Sequence, residues 1–254
     1  MSEMTTQEGP KVGVRGAAPE GATDPASVSR AVREMFTAIA PRYDLLNHLL
    51  SANVDKLWWR RTARAFSAIL SRPEARVLDL CCGTGDMAFA LRKQAPQVNI
   101  SGADFSHTML VLASAKSAGK PVQWIEADAL QLPFPDQSFD LITSAFGFRN
   151  LADYDAGLRE IRRVLRRGGE CGILECSEPG GLLGKAYDLY FQRVLPKVGT
   201  LISGVKGAYS YLPASVARFP AAPEMQARME AAGFREVSWQ PYTFGIAGLF
   251  RGKR

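Results

Sequence analysis

The chain is poor in the residues that most metal sites and nucleophilic active sites use. Its 254 residues include two histidines and four cysteines. The cysteines lack CxxC spacing and histidine partners, and each lies in a short apolar stretch; they are Cys81, Cys82, Cys171 and Cys176. We therefore predict no metal site, and we interpret the cysteines as small, reduced core residues.

Long apolar segments are also missing. No run approaches the roughly 18 apolar residues that would indicate a membrane-spanning helix. The N-terminus has neither the charged and then apolar pattern of a secretory signal nor an arginine-rich transit pattern. We expect a cytoplasmic protein, with peripheral contact at the inner membrane face left open. A content of 46% hydrophobic and 22% charged residues is typical of a globular chain with one sizeable core.

The net charge of +6 has its densest source between residues 159 and 167. The spacing of these basic residues is helical, and apolar residues form the opposite face; they are Arg159, Arg162, Arg163, Arg166 and Arg167. A solvated helix face is the simplest interpretation, and contact with phosphate or anionic lipid is the alternative. No zinc finger, internal repeat or RNA-binding aromatic signature accompanies the cluster, so we expect no nucleic-acid partner.

The chain divides into a tail and one domain. Residues 1–27 are rich in small and polar residues and predict a disordered tail. Residues 28–254 form the domain, with helices in 28–71, one of them from about Asp55 to Leu70, and an insertion or lid in 178–215 that follows the fifth strand. Strands are predicted at 76–80, 99–103, 122–126, 139–144 and 170–176, and two closing strands at 237–240 and 245–251. Helices are predicted at 86–93, at 106–117 with Ser106 as its cap, at 154–166 and at 225–232.

This alternation of strands and helices predicts an α/β fold of the Rossmann-like type. Right-handed crossovers place helices on both faces of a single, mostly parallel, twisted sheet. In such sheets the ligand lies at the carboxyl ends of the strands.

The stretch from Arg76 to Asp86 is a buried strand, a glycine loop and a helix start. Gly83 and Gly85 let the backbone approach a ligand, and the helix that follows offers unpaired N–H groups. Asp104, at the end of the second strand, is suited to accept both hydroxyls of a ribose. The loop through Ala88 also fits a relaxed dinucleotide fingerprint, so the residues alone leave an NAD-type oxidoreductase open.

Together these motifs resemble the class I S-adenosylmethionine-dependent methyltransferases. The resemblance is closest to the quinone-biosynthetic C-methyltransferases, which act in the ubiquinone and menaquinone pathways, and it runs from about Phe36 to the C-terminus. The matching positions are Val77 to Gly85, Asp104, Asp128 with Ala129, Leu132 to Phe134, Tyr43, Asp44, Asn47 and Ser51, Phe146 with Gly147, Arg149 and Asn150, and Arg163 to Gly169 with Glu175 and Ser177.

The resemblance implies a methyl donor and residues that hold it. In S-adenosyl-L-methionine, the methionine and ribose part would contact Gly83, Thr84 and Gly85. The ribose hydroxyls would contact Asp104, and the adenine would contact Asp128 and Ala129. Ala145 stands where the family often has a cofactor-contacting serine, so Ser144 beside it becomes the candidate.

The resemblance also implies C-methylation of a polyprenylated hydroquinone. A hydroxyl of the ring must lose its proton so that the neighbouring carbon can attack the methyl group. We expect Arg149 and Asn150 to hold the phenolate or a water molecule, with Tyr43 nearby. Pairing of Arg149 with an acidic neighbour such as Asp153 is the structural alternative. His48 and His107 are not expected to act as bases.

Two segments, 150–154 and 202–209, resemble menaquinone-pathway members of the family more than ubiquinone-pathway members. The resemblance therefore implies demethylmenaquinol as the lipophilic quinol substrate. The benzoquinol of the ubiquinone pathway, or both rings, is the alternative. An apolar path for the prenyl tail is predicted along Leu182, Leu183, Tyr187, Tyr190, Phe191, Val194 and Leu195. Peripheral membrane contact and a homodimer remain open as partners, and an NAD-dependent oxidoreductase or a nucleic-acid-binding module remain distant alternatives.

Overall fold

A seven-stranded sheet forms the centre of the molecule. The computed structural model describes residues 16–44, 51, 53–117, 119, 121–177, 179 and 208–254. Five strands are parallel to their neighbours, and the last two run antiparallel at one edge, in the order β3-β2-β1-β4-β5-β7-β6. The strands are β1 (Arg76–Leu80), β2 (Asn99–Asp104), β3 (Gln123–Glu126), β4 (Phe139–Ala145), β5 (Leu165–Cys176), β6 (Arg235–Tyr242) and β7 (Ala247–Lys253).

Helices alternate with the parallel strands and also precede the first one. The described helices are α1 (Pro25–Ile39), α2 (Asp55–Ala65), α3 (Ser67–Leu70), α4 (Asp86–Gln94), α5 (His107–Lys116), α6 (Tyr154–Val164), α7 (Ala208–Arg218) and α8 (Ala222–Ala231). Short 3₁₀ turns at Ala40–Arg42, Phe148–Asn150 and Thr243–Gly245 join some of these elements.

Helices cover both faces of the sheet, and because alternate residues of each strand point to opposite faces, both sets of side chains are buried. Leu78 and Leu80 of β1 pack into one core with residues of α6 and α8. Val77 packs into a second core with residues of α2 and α4. The predicted α/β architecture, a mostly parallel sheet with helices on both faces, is confirmed.

The arginine cluster differs from its prediction. Helix α6 ends at Val164, and Arg166 and Arg167 belong to the long strand β5. Arg163 forms ion pairs with Glu160 and Asp136 and donates to two backbone carbonyls. This arginine therefore ties α6 to the loop before β4, which a solvated helix face would not do.

The N-terminal boundary lies earlier than residue 28. Helix α1 begins at Pro25, where Asp24 and Ser27 form a reciprocal capping box. Ala17 is buried, and its N–H donates to the Leu151 carbonyl at 2.7 Å. Small residues in this segment pack because a backbone contact needs no large side chain.

Two other boundaries also differ from expectation. The helix predicted after Asp55 is broken at Phe66 into α2 and α3. Ser106 occupies the N-cap of α5, but its side chain makes no capping hydrogen bond, because its hydroxyl faces Thr37 at 3.3 Å. Most of the predicted insertion, including the prenyl path and residues 202–207, lies outside the described residues. Of the helices that the structure describes, none has the length and apolar character needed to span a bilayer.

Candidate active site

A cavity opens at the carboxyl ends of β1, β2 and β4, the edge at which parallel α/β sheets bind ligands. Helix α1 and the turn after it cover it from the side with Phe36 and Tyr43. The strand ends and their loops supply most of the remaining wall, which includes Asp79, Cys81, Cys82, Gly83, Thr84, Asp104, Asp128, Ala129, Ala145, Phe146, Gly147 and Asn150.

Gly83 connects the ends of β1 and β2. Its φ of +53° lies in the left-handed region that glycine adopts without strain. Its N–H donates to Oδ2 of Asp104 at 2.8 Å. The glycine loop is therefore held on the carboxylate predicted to accept a ribose.

Asp104 is buried at the cavity wall. Its Oδ1 accepts the Ser106 N–H at 2.9 Å, so the carboxylate organises its own loop with both oxygens. Burial raises the pKa of Asp104 to about 6, although backbone N–H groups of Ser106 and Gly83 oppose that rise. Each oxygen retains a second lone-pair direction, so hydroxyls of a ligand can still donate to it.

Gly85 serves packing and does not reach the cavity wall. Its φ is +88°, and a Cβ built on it would lie 2.5 Å from the indole of Trp124. The Trp124 ring also contacts Phe89 edge to face, with ring centroids 5.8 Å apart. The glycine lets the second half of the loop pack on β3, so its role in direct cofactor contact stays a prediction.

Asp79 is a site residue to which sequence reasoning assigned no role. It is fully buried in β1, it lines the cavity, and its Oδ1 accepts the Thr143 hydroxyl at 2.9 Å. Burial raises its pKa to about 7, although the Thr143 hydroxyl and the Ala88 backbone N–H oppose that rise, and Oδ2 makes no hydrogen bond of normal geometry with the described residues. A buried carboxylate with an open oxygen is suited to receive a cation. A charged residue inside the otherwise apolar Val77 to Leu80 run was the available signal.

Asp128 and Ala129, the residues predicted to contact adenine, form another part of the wall. Oδ1 of Asp128 accepts the Leu130 N–H at 2.9 Å, and the rest of the carboxylate is exposed. Ala129 is buried beside it and presents a small apolar surface. The pair combines a hydrogen-bond acceptor with a flat apolar contact, as an aminopurine requires.

Thr84 belongs to a charged cluster that fastens the N-terminal segment. Its hydroxyl donates to Asp44 at 2.5 Å. Lys116 Nζ donates to Asp44 at 2.7 Å, to Asp86 at 2.9 Å and to Thr84 at 3.1 Å. This cluster joins the turn after α1 to α4 and α5, and so holds Tyr43 over the cavity.

Arg149 lies behind the cavity wall. Its buried guanidinium donates to Glu175 Oε2 at 2.9 Å, to the Phe146 carbonyl, and to the Ser215 hydroxyl at 3.3 Å. Burial opposes its charge, but the Glu175 carboxylate outweighs that effect and raises the pKa of Arg149 above its ordinary value. Arg149 thus has an acidic partner, as the structural alternative expected, but that partner is Glu175 and not Asp153, which caps α6 by accepting the Ala156 N–H.

Asn150 and Tyr43 face the cavity that Arg149 does not line. The Tyr43 ring meets Phe36 edge to face, and a Cβ built on Gly83 would lie 3.9 Å from its Cε1. The Tyr211 hydroxyl of α7 donates to Oδ1 of Asn150 at 3.1 Å. With its oxygen occupied, the Asn150 amide has its NH₂ group left to donate.

Ser144 is not brought to the described wall of the cavity. It is buried in β4, whereas its neighbour Ala145 lines the cavity. Successive side chains of a strand point to opposite faces, so the two cannot exchange roles. Two non-glycine residues with positive φ mark the rim nearby, Cys81 at 53° and Phe146 at 58°. Such conformations collect at functional sites.

The thiols and the one described histidine do not supply a base at this site. Burial raises the pKa values of Cys81 and Cys82 well above the ordinary value. His107 is exposed and contacts Glu126 at 3.1 Å, away from the lining. His48 lies outside the described residues. Within the described part of the chain, no cluster of His, Cys, Asp and Glu could hold a metal ion.

Comparisons with known proteins identify a family and close sequence relatives. The model of the ubiE/COQ5 methyltransferase family matches residues 25–254. A demethylmenaquinone methyltransferase of Deinococcus radiodurans is 48% identical over 99% of this chain and 100% of its own length. A demethylmenaquinone methyltransferase of Thermus thermophilus is 52% identical over 87% of this chain and 100% of its own length.

Other relatives carry a broader name. A ubiquinone/menaquinone biosynthesis C-methyltransferase of Geobacter sulfurreducens is 45% identical over 88% of both chains. Among solved structures, a SAM-dependent methyltransferase of Thermotoga maritima aligns with a TM-score of 0.62 at 20% identity, covering 87% of this chain and 98% of that one. The structural likeness supports the fold alone.

Proposed function

The chain belongs to the ubiE/COQ5 methyltransferase family, and we propose that it methylates a ring carbon of a polyprenylated hydroquinone, with demethylmenaquinol as its substrate. As a member of this family it is a methyltransferase that uses S-adenosylmethionine. The observation that carries the proposal is a single cavity in which two buried carboxylates, Asp79 and Asp104, lie with the neutral polar side chains of Asn150 and Tyr43.

The residues on the cofactor side fit this methyl donor. The open Oδ2 of Asp79 matches a cationic group, and the open lone pairs of Asp104 match ribose hydroxyls. Asp128 and Ala129 offer a rim for adenine, and the Gly83 loop admits close approach of a backbone. When bound, S-adenosylmethionine supplies an electrophilic methyl group. The Gly85 and Thr84 contacts are expected to be indirect, through Trp124 packing and the Lys116 cluster.

On the quinol side, the protein must hold the ring and stabilise the oxygen that loses its proton. Asn150 can donate its NH₂ hydrogens to that oxygen, since Tyr211 occupies the amide oxygen. The Tyr43 hydroxyl lies at the same wall and can donate or accept. Their main contribution is orientation, which can supply at most roughly 7–11 kcal/mol of the barrier reduction.

Arg149 acts in this proposal as a positioning residue rather than as the base. It stays protonated beside Glu175, and its guanidinium holds the Phe146 carbonyl at the end of β4. Phe146 and Asn150 both line the cavity, so this clamp fixes the wall against which the quinol ring lies.

Demethylmenaquinol is preferred because relatives that align along nearly the whole chain carry that name. The benzoquinol of ubiquinone synthesis is the second candidate, favoured by the broader name of the Geobacter sulfurreducens relative. A quinol with a prenyl tail resides in membrane, so we also propose peripheral contact with a bilayer.

The test incubates the protein with labelled S-adenosylmethionine and, separately, reduced demethylmenaquinone or the demethylated benzoquinol. We expect a product heavier by one methyl group from the naphthoquinol, with slower or no turnover of the benzoquinol. Labelled product from the benzoquinol alone would assign the second pathway. An absence of product from both quinols, with the donor shown to bind by calorimetry, would contradict the proposal.

A further inference from the structure

Two apolar side chains are exposed beside the cavity, on elements that the proposed chemistry does not use. Phe244 is 82% exposed at the turn between β6 and β7, and Leu57 is 52% exposed on α2. Among the described residues, Val111 of α5 is the other large apolar side chain with comparable exposure. Of these three side chains, Leu57 and Phe244 lie on two elements that contact each other, α2 and the turn between β6 and β7.

Direct contacts join these two elements. The Trp58 indole N–H of α2 donates to the Thr243 hydroxyl at 2.7 Å. The Arg61 guanidinium lies 4.2 Å from the centroid of the Tyr242 ring. Leu57 lies one helical turn before Arg61, on the same face of α2. Leu57 and Phe244 therefore flank one continuous surface.

The turn is built to project Phe244 outward. Thr243 and Phe244 both have positive φ, 44° and 57°, although neither is glycine. The conformation is held on one side by Trp58 and on the other by the Ser177 hydroxyl, which donates to the Gly245 carbonyl at 2.6 Å. A strained turn that is fixed at both ends and exposes a phenyl ring indicates a functional contact.

The same surface is cationic. The exposed residues of α2 are Lys56, Leu57, Arg60, Arg61 and Arg64, and the single acidic residue of the helix, Asp55, is 4% exposed. Among the described residues, no carboxylate forms a salt bridge with any of these four basic side chains. This helix face therefore carries four uncompensated positive charges around an apolar residue.

This surface lies at the mouth of the active site. The turn precedes Ala247, which pairs with Cys176 at the carboxyl end of β5. Trp59 of α2 lines the cavity, and the Trp58 ring lies 5.7 Å from the ring of Phe146, another lining residue. A partner held on Leu57 and Phe244 would face the cavity edge of the sheet.

We propose that α2 and the Phe244 turn form a docking surface for an anionic lipid bilayer. Phe244 and Leu57 enter the region between headgroups and acyl chains, while the basic side chains contact lipid phosphates. An anionic membrane offers acyl chains to the apolar side chains and phosphates to the basic ones. Nucleic acid would offer phosphates to the basic side chains but no apolar region to Leu57 and Phe244. The benefit to catalysis rests on the proposed quinol substrate, but lipid binding itself does not.

Sedimentation with vesicles tests the surface without substrate or methyl donor. The wild-type protein should co-sediment with vesicles of phosphatidylcholine and phosphatidylglycerol in equal parts, and weakly with phosphatidylcholine alone. Phe244→Ser should lower the partition coefficient about tenfold. The double change Arg60→Gln and Arg64→Gln should lower it about tenfold or more.

Matched controls lie on other faces. Leu57→Ser should weaken binding, while Val111→Ser, at the same 52% exposure, should not. Arg159→Gln with Arg167→Gln removes two exposed charges, one from the middle of α6 and one near the start of β5, and should leave binding unchanged. A wild-type protein that ignores the anionic vesicles, or equal losses in the two arginine pairs, would overturn the proposal.

Activity assays separate this surface from the active site. Phe244→Ser should keep the wild-type turnover of a short-chain, water-soluble quinol and lose turnover of a long-chain quinol embedded in anionic vesicles. If Phe244→Ser instead converts a dimer to a monomer in analytical ultracentrifugation while vesicle binding is unaffected, the surface contacts a second copy of the chain and not lipid.

Discussion

The two sides of the cavity hold charge in different ways. On the cofactor side, Asp79 and Asp104 are buried carboxylates whose pKa values rise to about 7 and about 6, and neither forms a described salt bridge with a cationic side chain. On the quinol side, Arg149 and Glu175 neutralise each other behind the wall. One side is thus prepared for a cationic ligand, and the other presents neutral donors to a ring oxygen.

This difference suits methyl transfer from a sulfonium to a carbon nucleophile. A carboxylate side without its own cation gains most when a positive ligand enters. The quinol side carries no net charge that would bind the substrate too tightly. Its polar groups are nevertheless fixed in position, because the buried Arg149 and Glu175 pair holds the wall to which they belong. Four substitutions test the contrast, in order of decreasing expected effect.

Glu175→Gln should have the largest effect, because it leaves the buried Arg149 charge uncompensated. We expect the free energy of unfolding to fall by about 3–5 kcal/mol. Chemical denaturation measures it, with Glu236→Gln as the control, since Glu236 pairs with Lys253 on the exposed surface. Equal losses in the two variants would mean that the buried pair does not stabilise the quinol side.

Asp104→Asn should weaken binding of the methyl donor about tenfold to a hundredfold, because charge-assisted hydrogen bonds contribute about 1.5–3 kcal/mol. Isothermal titration with S-adenosylhomocysteine measures the change. Asp136→Asn, which alters an exposed carboxylate paired with Arg163, serves as the control. Wild-type affinity in the Asp104 variant would remove this residue from the cofactor side.

Asp79→Asn should change the pH dependence of both stability and binding. The pKa of Asp79 rises from 3.8 to about 7 on folding, so the folded chain binds a proton that the unfolded chain releases. Cofactor-free stability should therefore fall as pH rises through this window, by up to about 1.4 kcal/mol per pH unit. Affinity for the cationic donor should rise over the same window, as the carboxylate ionises.

In the Asn variant both trends should flatten, most clearly between about pH 6 and pH 7, where Asp79 is the group of this pair that still titrates. Thermal unfolding and calorimetric titration at several pH values from about 5 to about 7 provide the measurements. Asp104, with its pKa near 6, supplies a smaller residual slope at lower pH. An unchanged slope in both assays would show that Asp79 is not the group that receives the positive charge.

Tyr211→Phe should have the smallest effect, since it removes one hydrogen bond to Asn150 worth about 1 kcal/mol. Turnover should fall about fivefold with little change in donor affinity, because the Asn150 amide becomes free to rotate. Phe36→Leu, a packing change at the cavity that leaves the Asn150 hydrogen bond in place, provides the control. A fall in affinity for the donor without a change in turnover would contradict the positioning role.

Local patterns were enough to predict much of the scaffold. Strand β1 occupies the predicted residues, and the glycine loop and Asp104 follow it as expected. Contacts with residues from far along the chain could not be predicted in this way. Gly85 is small because Trp124 of β3 covers it, and no local pattern reports that contact.

The site was only partly predictable for the same reason. Asn150 and Tyr43 reach the cavity as expected, but Arg149 pairs with Glu175, which is 26 positions away, and not with nearby Asp153. Ser144 was the nearest hydroxyl in sequence to Ala145, yet strand alternation points it to the other side. Proximity in sequence was misleading for the partner of Arg149, and a cofactor contact of Ser144 stays a prediction.

The amino-acid sequence by itself determined the order of strands and helices, the glycine loop at Gly83 and the resemblance that proved to be family membership, because these depend on spacing and residue type. Only the tertiary structure decided which groups became charged, neutralised or exposed. The open oxygen of Asp79, the Arg149 and Glu175 pair and the projection of Phe244 all depend on segments that meet in space. Burial and electrostatic interaction both depend on the distances between side chains that lie far apart in the sequence, and those distances are set by the packing of the folded chain.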